Sequence, residues 1–590
     1  MKNRITLLVC GGTGCIASKS NEMIDNLRLK LEELNMTDEV TVIKTGCFGF
    51  CGQGPIIKVQ PDNVFYVKVE LSDIDDIINE HVVKGRVVER LLFVDPKQKT
   101  KVKEHKNMDF YKKQYRIALR NCGFINPEDI SEYIAVRGYE ALAISLDEST
   151  PKEVVDKIKK SQLRGRGGGG FPTGLKWELT AREDNTEKYI ICNADEGDPG
   201  AFMDRSILEG DPHSVLEAMA IGGYAIGANS GLVYIRAEYP LAIHRLETAI
   251  NQAREYGFLG KDIFGSGFDF DIEIRLGAGA FVCGEETALI HSMEGHRGEP
   301  TRKPPFPSVS GFRGKPTSVN NVETFANIPS IILNGPEWFA SIGTENSKGT
   351  KVFALAGKIN NIGLVEVPMG TTLREIIFDI GGGIINNKEF KAVQTGGPSG
   401  GVITKEHLDT PIDYESLKSI GSMMGSGGMI VLDEDDDMVE LSKFYLDFTQ
   451  DESCGKCTPC RIGTKRMFEI LERLTDMKGS PEDLEILEDL AVNIKNSSLC
   501  GLGQTAPNPV LSTLEYFKEE YEAYAYRTKK QFYTIVADKC IGCTKCKRVC
   551  PVDCITGEVK KYTLLMKMLV LHVELAMMLV LKMQSWSLRR

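Results

Sequence analysis

The hydrophobic pattern over the first 95 residues alternates between the strand period and the helix period. Ile5–Cys10, Val40–Lys44 and Val64–Val69 are short apolar runs that predict strands, whereas Ile24–Leu34 places its apolar residues at helical spacing. These elements predict a small α/β domain over residues 1–95, with its cysteines in the loops that follow the first two strands.

A larger, glycine-rich α/β body is predicted over residues 116–335. Within it, Pro151–Gln162 begins with proline and keeps its apolar side chains on one face, which predicts a helix. Phe268–Leu276 alternates apolar and polar residues, as a half-buried strand does.

The rest of the chain is divided by composition. The lysine-rich segment 96–115 predicts a charged, solvated linker, and 345–410, with paired glycines at turns, predicts a small β-rich module. An acidic stretch precedes a helical region over 439–525, and a ferredoxin-like segment covers 531–561.

Length and charge narrow the class of protein. At 590 residues the chain is too long for one hydrophobic core, so several domains are expected. A net charge of −11 argues against a nucleic-acid partner. The apolar run Ile5–Cys10 is too short for a signal peptide, so we predict a cytoplasmic protein whose sixteen cysteines are reduced or metal-bound.

Twelve of the sixteen cysteines fall into three sets with metal-cluster spacing. The sets are Cys10, Cys15, Cys47 and Cys51; Cys454, Cys457, Cys460 and Cys500; and Cys540, Cys543, Cys546 and Cys550. The third set has the C-x2-C-x2-C-x3-C-P spacing of bacterial cubane ferredoxins. Several clusters along one chain indicate one-electron transfer, and a zinc site remains the alternative for each of the first two sets.

The loop 163–177 is the strongest local motif. It contains G-x-G-x-x-G, but a helix precedes it where a Rossmann fingerprint requires a strand. We therefore predict an open loop whose backbone N–H groups approach a flat or phosphorylated ligand. Lys176 supplies a point charge for phosphate, and Phe171 supplies a stacking surface.

Carboxylates and amides cluster in three later segments. Asn193–Asp198 follows an apolar strand, a position where α/β folds bind ligands, although a solvated turn is the alternative. Glu285 and Glu286 follow glycines at a helix start, where plain capping of the helix dipole is the alternative. The pair Asn320–Asn321 offers donors and acceptors suited to the polar edge of a flavin.

Five motifs in order resemble one family. They are the loop 163–177, N-A-D-E-G from 193, G-A-G-x-x-x-C-G-E-E from 277, K-P-P-F-P from 303 and N-N-V-E-T from 320. The family is the flavin-bearing, NADH-oxidising subunit of respiratory NADH dehydrogenase (complex I) and its soluble relatives. The second cysteine set is also similar to that family's, where it binds a [4Fe-4S] cluster beside the flavin. The first set resembles that of the thioredoxin-like [2Fe-2S] ferredoxins.

The resemblance implies two sets of ligand-binding residues. Those implied for FMN are Gly165, Gly167, Gly168, Gly170, Lys176, Asn193, Asp195, Glu196, Gly284, Glu285, Val319, Asn320 and Asn321. Those implied for holding NADH over the flavin are Phe171, Glu286, Lys303 and Phe306. At Asp198 respiratory subunits usually carry the longer Glu, which alters an implied nicotinamide contact.

The implied fold class is multidomain α/β and α+β. Its parts are a thioredoxin-like [2Fe-2S] domain over 1–95, an FMN- and NADH-binding α/β domain over 116–335, a small β-grasp-like (SLBB) module over 345–410, a helical [4Fe-4S] domain over 439–525, a partial ferredoxin-like domain over 531–561 and a tail over 562–590. The thioredoxin-like domain and the ferredoxin-like domain are absent from respiratory subunits. Their presence resembles the diaphorase subunit of soluble NAD(P)-reducing or electron-bifurcating [FeFe] hydrogenases.

The predicted activity is that of an NADH dehydrogenase passing electrons between NAD(H), FMN, [2Fe-2S] and [4Fe-4S] clusters. FMN performs the hydride chemistry, so no catalytic residue is invoked. The implied partners are a hydrogenase catalytic subunit, a small [2Fe-2S] subunit and ferredoxin. The alternatives are a subunit of an NAD-linked formate dehydrogenase, a respiratory subunit, and a non-catalytic electron-carrier scaffold. The choice between NADH and NADPH stays open.

The tail lacks the second cysteine run that a two-cluster ferredoxin needs. Val570, Val573, Ala576 and Val580 have the missing run's spacing. Val and Ala codons begin with GT and GC, so a preceding codon that ends in T spells a cysteine codon in the shifted frame. We therefore hypothesise a frameshift near 559–565. The apolar stretch 564–581 carries charged residues, so no membrane span is predicted.

Overall fold

A computed structural model describes residues 4–526, 544, 548, 555–556 and 564–565. The chain divides into one unit of residues 1–471 and 486–517 and a second of 472–485 and 518–590. Within the described residues, the structure contains no helix that is long and apolar enough to cross a membrane.

The first sheet of the larger unit has the order β2-β1-β3-β4, with β1 parallel to β2 and antiparallel to β3. Its elements are β1 (Ile5–Cys10), α1 (Thr13–Ala17), α2 (Ser20–Glu33), β2 (Val40–Thr45), β3 (Ile57–Gln60), β4 (Val64–Tyr66) and α3 (Ile74–Asp76). The sequence pattern missed β3, which lies between two prolines, and extended β4 too far. Cys10 ends β1 and Cys15 lies within α1, so only the second cysteine pair follows a strand in a loop.

The segment 96–115 is more than the solvated linker that its lysines predicted. After β5 (Phe93–Val94) and β6 (Lys101–Val102), α4 (Asp109–Lys112) turns Phe110 into the core, where it stacks on Phe50 at 4.3 Å between ring centroids. Met108 is also fully buried. Because apolar residues are spaced between the lysines, the segment packs while its charges stay in solvent.

The second sheet is entirely parallel, in the order β10-β7-β8-β9. Its strands and helices are α5 (Ile130–Ala135), α6 (Glu140–Asp147), α7 (Pro151–Ser161), α8 (Thr173–Arg182), β7 (Tyr189–Ala194), α9 (Met203–Gly210), α10 (Pro212–Ile226), β8 (Ser230–Arg236), α11 (Pro240–Glu255), β9 (Asp271–Gly277), α12 (Glu286–Met293), β10 (Thr317–Asn321), α13 (Val322–Asn334) and α14 (Pro336–Ala340). Thr150 and Glu153 form a capping box at α7, which confirms the predicted helix. Parallel strands bring the segments that follow β7, β9 and β10 to one edge.

The third sheet is mixed and has the order β12-β11-β15-β13-β14. Its elements are β11 (Thr350–Gly357), β12 (Gly363–Pro368), β13 (Phe390–Thr395), β14 (Val402–Thr404), α15 (Tyr414–Ser419) and β15 (Gly428–Asp433). The central strand β15 therefore lies beyond the range 345–410 that composition suggested.

The remaining elements are helices and two short paired strands. They are α16 (Met438–Asp451), α17 (Thr458–Thr475), α18 (Pro481–Ser497), α19 (Gly501–Thr505), α20 (Asn508–Tyr516), α21 (Lys518–Ala525), β16 (Ile555–Thr556) and β17 (Leu564–Leu565). The third cysteine set (Cys540, Cys543, Cys546 and Cys550) lies outside the described residues, as does nearly all of 562–590. The ligand assignments and the frameshift hypothesis for them stay predictions.

Candidate active site

The glycine loop joins α7 to α8 and lies against the end of β10. Gly165 N–H donates to the Phe171 carbonyl at 2.8 Å, which closes the loop on itself. Gly168 and Gly170 have φ of 114° and 62°, a left-handed backbone that favours glycine. A Cβ on Gly167 would lie 3.1 Å from Asn321 Cβ, whereas one on Gly169 would meet nothing within 4 Å. The loop therefore leaves open space at Gly169, and its approach to a ligand stays a prediction.

Asp195 follows β7 and lacks a partner for its charge. Both of its carboxylate oxygens are buried without a hydrogen-bond partner among the described residues, and burial raises the pKa of Asp195 from 3.8 to about 7. The neighbouring Asn193 donates to the Gly284 carbonyl at 2.9 Å. An unsatisfied carboxylate beside a loop of free amides suits a ligand that carries hydroxyl and phosphate groups, so these residues fit FMN.

Glu196 and Asp198 are engaged by the protein itself. The Glu196 carboxylate accepts from the backbone N–H groups of Asp204 and Arg205, each at 3.1 Å, and so holds the start of α9. Asp198 accepts a short hydrogen bond from Ser426, and burial raises its pKa to about 6. The ligand contacts implied for these two carboxylates stay predictions, and the structure gives each of them a structural partner.

Four charged residues form a linked cluster at the start of α12. Glu286 pairs with Lys303 at 2.7 Å and with Lys176 at 3.2 Å, and Lys303 also pairs with Glu285 at 3.0 Å. Burial acts to raise the pKa of Glu286, but the two lysines outweigh it and hold this pKa below its usual range. Glu285 also accepts from the N–H groups of Thr287 and Ala288, so the capping role left open by the sequence is present as well.

Aromatic rings and amides complete the surroundings. Phe171 and Phe306 are 46% and 55% exposed, which leaves both rings free to stack on a nucleotide. Asn320 accepts from the indole N–H of Trp177 at 2.9 Å, and Asn321 caps α13 through the N–H of Glu323 at 2.9 Å. Val319 is buried and its carbonyl accepts from Lys176 at 3.0 Å.

Sequence reasoning missed the supporting residues. Asp204, which binds the Asn321 side chain, and Ser426, which binds Asp198, belong to no motif and come from distant segments. Trp177 is the last residue of the loop 163–177 and is fully buried on α8. The glycine pattern around it does not predict that burial.

We expect Asp195→Asn to stabilise the flavin-free chain at pH 8 while weakening FMN binding. A carboxyl whose folded pKa is raised contributes stability below pH 3.8 that is lost as pH rises through about 7, so the variant's advantage in melting temperature should be largest at pH 8 and vanish near pH 4. Loss of a charged acceptor should weaken FMN binding by about tenfold or more. Thermal melts and flavin fluorescence titrations measure the two effects, and a lower melting temperature at pH 8 would contradict the assignment.

A cavity of 150 Å³ is lined by three cysteines of the first set, Cys15, Cys47 and Cys51. Cys47 and Cys51 have their sulfurs 3.8 Å apart, about the edge of a tetrahedral thiolate site with metal–sulfur bonds of about 2.3 Å. The Cys10 thiol hydrogen-bonds to both Cys15 and Cys47; hydrogen bonding to a neighbouring thiol and burial raise the pKa of Cys10 well above its usual value. No three His, Cys, Asp or Glu side chains in the described residues converge on a single-ion site. Three thiols around one cavity, with the Cys10 thiol bonded to two of them, fit a [2Fe-2S] cluster, whose two irons share the ligands.

Other elements clamp the loop between Cys47 and Cys51 on two sides. The Phe48 carbonyl accepts from Tyr111 at 3.1 Å and from Arg116 at 3.2 Å. The Gly49 carbonyl accepts from the N–H of Leu364 at 2.7 Å, which attaches the loop to β12. The loop is therefore held by α4, by the segment that follows it and by the third sheet.

The second cysteine set gathers where α17 and α19 begin. Cys460 lies in α17; burial raises its pKa to about 11, and the thiols of the other three cysteines act in the same direction. Ser453 and Cys460 have their side chains 3.2 Å apart. The four thiols are close enough for the other three to act on the pKa of Cys460, and four clustered thiols fit a [4Fe-4S] cluster.

The loop that carries Cys454 is bonded to the nucleotide-binding motifs. Phe281 N–H donates to the Glu452 carboxylate at 2.8 Å, and Arg297 donates to the Cys454 carbonyl at 2.6 Å. Lys456 pairs with Glu299 at 3.2 Å. A cavity of 370 Å³ is lined both by Cys500 and by Lys303, among other residues. The cluster ligands therefore lie directly beside the residues implied for NADH.

Comparison with protein families gives matches along the chain. The Nuo51 FMN-binding domain matches 158–330, the NADH-ubiquinone oxidoreductase-F iron-sulfur binding region matches 440–524, the thioredoxin-like [2Fe-2S] ferredoxin family matches 1–81, and a 4Fe-4S binding domain matches 533–556. The predicted fold class and the predicted FMN, [2Fe-2S] and [4Fe-4S] cofactors are confirmed.

Individual relatives agree with the families. The NADP-reducing hydrogenase subunit HndC of Solidesulfovibrio fructosivorans is 66% identical over 458 residues, covering 76% of this chain and 93% of that subunit. A subunit of the NADH-quinone oxidoreductase of Rhizobium meliloti (strain 1021) is 45% identical, covering 71% of this chain and 99% of that subunit. The structure of an NAD⁺-reducing [NiFe]-hydrogenase in the H₂-reduced state matches with a TM-score of 0.63 at 28% identity, covering 88% of this chain and 84% of that one. This chain belongs to the family of FMN-binding, iron–sulfur NADH dehydrogenase subunits of the Nuo51 type.

Proposed function

We propose that this chain is the NADH dehydrogenase (diaphorase) subunit of a larger redox complex such as a hydrogenase, and that it passes electrons between NAD(H), FMN and iron–sulfur clusters. The observation that carries the proposal is the bonding of the Cys454 loop to the nucleotide-binding segment through Glu452 and Phe281 at 2.8 Å. A cluster held there has the flavin residues as its immediate neighbours.

Each residue group has a distinct task. The glycine loop and Asp195 bind FMN, and Phe171 and Phe306 stack on the nucleotide. Glu286 and Lys303 orient the nicotinamide half, and Lys176, which is implied for FMN, is fixed by its ion pair with Glu286. FMN, when bound, accepts two electrons as hydride and releases them one at a time. Clusters held by the cysteine sets would then supply the one-electron acceptors, and the loop that carries Cys454 is bonded to the nucleotide-binding segment.

The nature of the complex follows from the relatives. HndC is a subunit of an NADP-reducing hydrogenase, and the matched solved structure is an NAD⁺-reducing hydrogenase. We propose the same kind of assembly for this chain, in the cytoplasm, with a hydrogenase catalytic subunit and a small [2Fe-2S] subunit as partners. A respiratory complex is the second candidate, favoured by the match to the NADH-quinone oxidoreductase of Rhizobium meliloti. Identification of co-purifying subunits separates the two.

Anaerobic assay of the full chain tests the activity. The chain reconstituted with FMN should reduce an artificial electron acceptor with NADH or NADPH, and the ratio of initial rates gives its preference. A folded preparation that releases no flavin on denaturation would overturn the proposal in favour of a non-catalytic electron carrier.

We expect the chain as given to hold about six stable irons, from one [2Fe-2S] and one [4Fe-4S] cluster. Cys540, Cys543 and Cys546 lack a fourth ligand from a second run, so any C-terminal cluster should be lost to a chelator. Iron analysis before and after chelation measures this. A chain with the frame restored beyond residue 562 should retain two further four-iron clusters, and equal iron content in both chains would contradict the frameshift hypothesis.

A further inference from the structure

The helix α9 closes one side of the [2Fe-2S] cavity. The cavity is lined by Cys15, Cys47 and Cys51 of the first domain and by Arg205 and Glu209 of α9. The two α9 side chains are of opposite charge, and neither belongs to a cluster set or to a nucleotide motif. Both belong to the domain that holds the nucleotide residues.

The contact between α9 and the first domain is close. Glu209 is 2% exposed at its side chain and accepts from Thr13 N–H at 3.0 Å and from the Thr13 hydroxyl. A Cβ on Gly46 would lie 2.4 Å from Gly210 Cα, so the two backbones touch. The charges of α9 are therefore held at a fixed distance from the cysteines.

Arg205 is held in place by its neighbours, but its Nε–H makes no hydrogen bond to any described residue. Its guanidinium lies 5.4 Å from the Tyr239 ring centroid, and its backbone N–H is bound by Glu196. The buried Nε–H has no hydrogen-bond partner among the described residues, and its distance of 3.7 Å from Glu209 is too long for one. An unpartnered donor on a cavity wall is what a cluster sulfur would accept from.

The two charges act on a bound cluster in opposite directions. Arg205 and Glu209 line the same cavity as Cys15, Cys47 and Cys51, so each charge lies against a cluster held there. A positive charge favours the electron added on reduction, and a negative charge disfavours it.

We propose that Arg205 and Glu209 together set the reduction potential of the [2Fe-2S] cluster, Arg205 raising it and Glu209 lowering it. The inference rests on the proposed function, since it requires the cluster to be bound by Cys10, Cys15, Cys47 and Cys51. Net charge and hydrogen bonds to sulfur are the levers by which proteins tune such clusters. Arg205 and Glu209 act on the cluster from α9, a helix of the domain that holds the nucleotide residues.

An EPR-monitored redox titration of the full anaerobic chain tests this. In Arg205→Gln the [2Fe-2S] midpoint should become more negative, so that at the wild-type midpoint the ratio of reduced to oxidised cluster falls about tenfold, which is 59 mV for one electron. In Glu209→Gln the ratio should rise, since the amide oxygen can accept from Thr13 N–H and the amide NH₂ can donate to the Thr13 hydroxyl, without the charge. Arg205→Lys should stay near wild type, and the [4Fe-4S] midpoint serves as internal reference.

Opposite shifts support the proposal because general damage near the cluster would move both variants the same way. Equal midpoints in wild type and Arg205→Gln, with the cluster loaded, would overturn it. If Arg205→Gln loses its cluster, Glu209→Gln decides alone, and an unshifted midpoint there also overturns it. A wild-type chain with FMN but without a [2Fe-2S] signal would overturn both this inference and the cluster part of the proposed function.

Discussion

Electron delivery to protein partners should fall by about a hundredfold or more when Cys457 is replaced by alanine, because loss of one of four ligands removes the [4Fe-4S] acceptor. The loop that carries this cluster is bonded through Glu452 to the nucleotide-binding segment, so this cysteine set lies directly beside that segment. Reduction of the bound flavin by NADH should suffer far less. Stopped-flow flavin bleaching and reduction of the native partner measure the two steps separately.

Cys192→Ala is the matched control. Cys192 is a fully buried thiol in β7 that belongs to no cluster set, so the variant loses a sulfur without losing a ligand. It should keep its full iron content and its electron delivery. Delivery at the wild-type rate from a Cys457→Ala chain that has lost four irons would show that electrons leave by another route.

Replacing Glu286 with glutamine should lower kcat/KM for NADH by about ten- to a hundredfold, since a hydrogen bond to a charged group is worth about 1.5–3 kcal/mol. Glu286 is the residue that holds Lys176 and Lys303 together, at 3.2 and 2.7 Å. Glutamine keeps the shape but leaves two lysines without their shared counter-charge. FMN retention should change little, because Asp195 and the glycine loop remain. Steady-state kinetics and bound-flavin content are the measurements.

Glu273→Gln is the matched control for Glu286→Gln. Glu273 is 62% exposed on β9 and pairs with Arg275 at 2.8 Å, a surface ion pair of little energetic value. Its variant should match the wild type in kcat/KM. Equal losses of FMN and of NADH turnover in Glu286→Gln would argue that Glu286 maintains the whole pocket and has no specific role toward NADH.

Much of the fold was predictable from local pattern. The strand Ile5–Cys10 and the helix that begins at Pro151 were placed correctly, because burial on one face leaves a clear period in the sequence. The strand Ile57–Gln60 was missed because prolines on both sides mark turns. The lysines of 96–115 masked Met108 and Phe110, since charge runs conceal sparse apolar anchors.

The site was predictable as a set of motifs but not as a network. Order along the chain identified Glu286 and Lys303, yet only the fold shows that they pair with each other. The supports of Asp198 and Asn321 come from residues more than a hundred positions away, and no periodicity in the sequence encodes such a pairing. Arg205 and Glu209 were invisible for the same reason.

The clamp on the loop between Cys47 and Cys51 has a consequence for how charge moves. Phe48 is bonded to Tyr111 at 3.1 Å, and Gly49 is bonded to Leu364 of the third sheet at 2.7 Å. The first domain is therefore held in place and does not move as a mobile electron carrier would. Because the distance for electron tunnelling is fixed when the chain folds, the rate of electron transfer through this domain should not depend on solvent viscosity. The segment 96–115 supports the domain and does not serve as a flexible hinge.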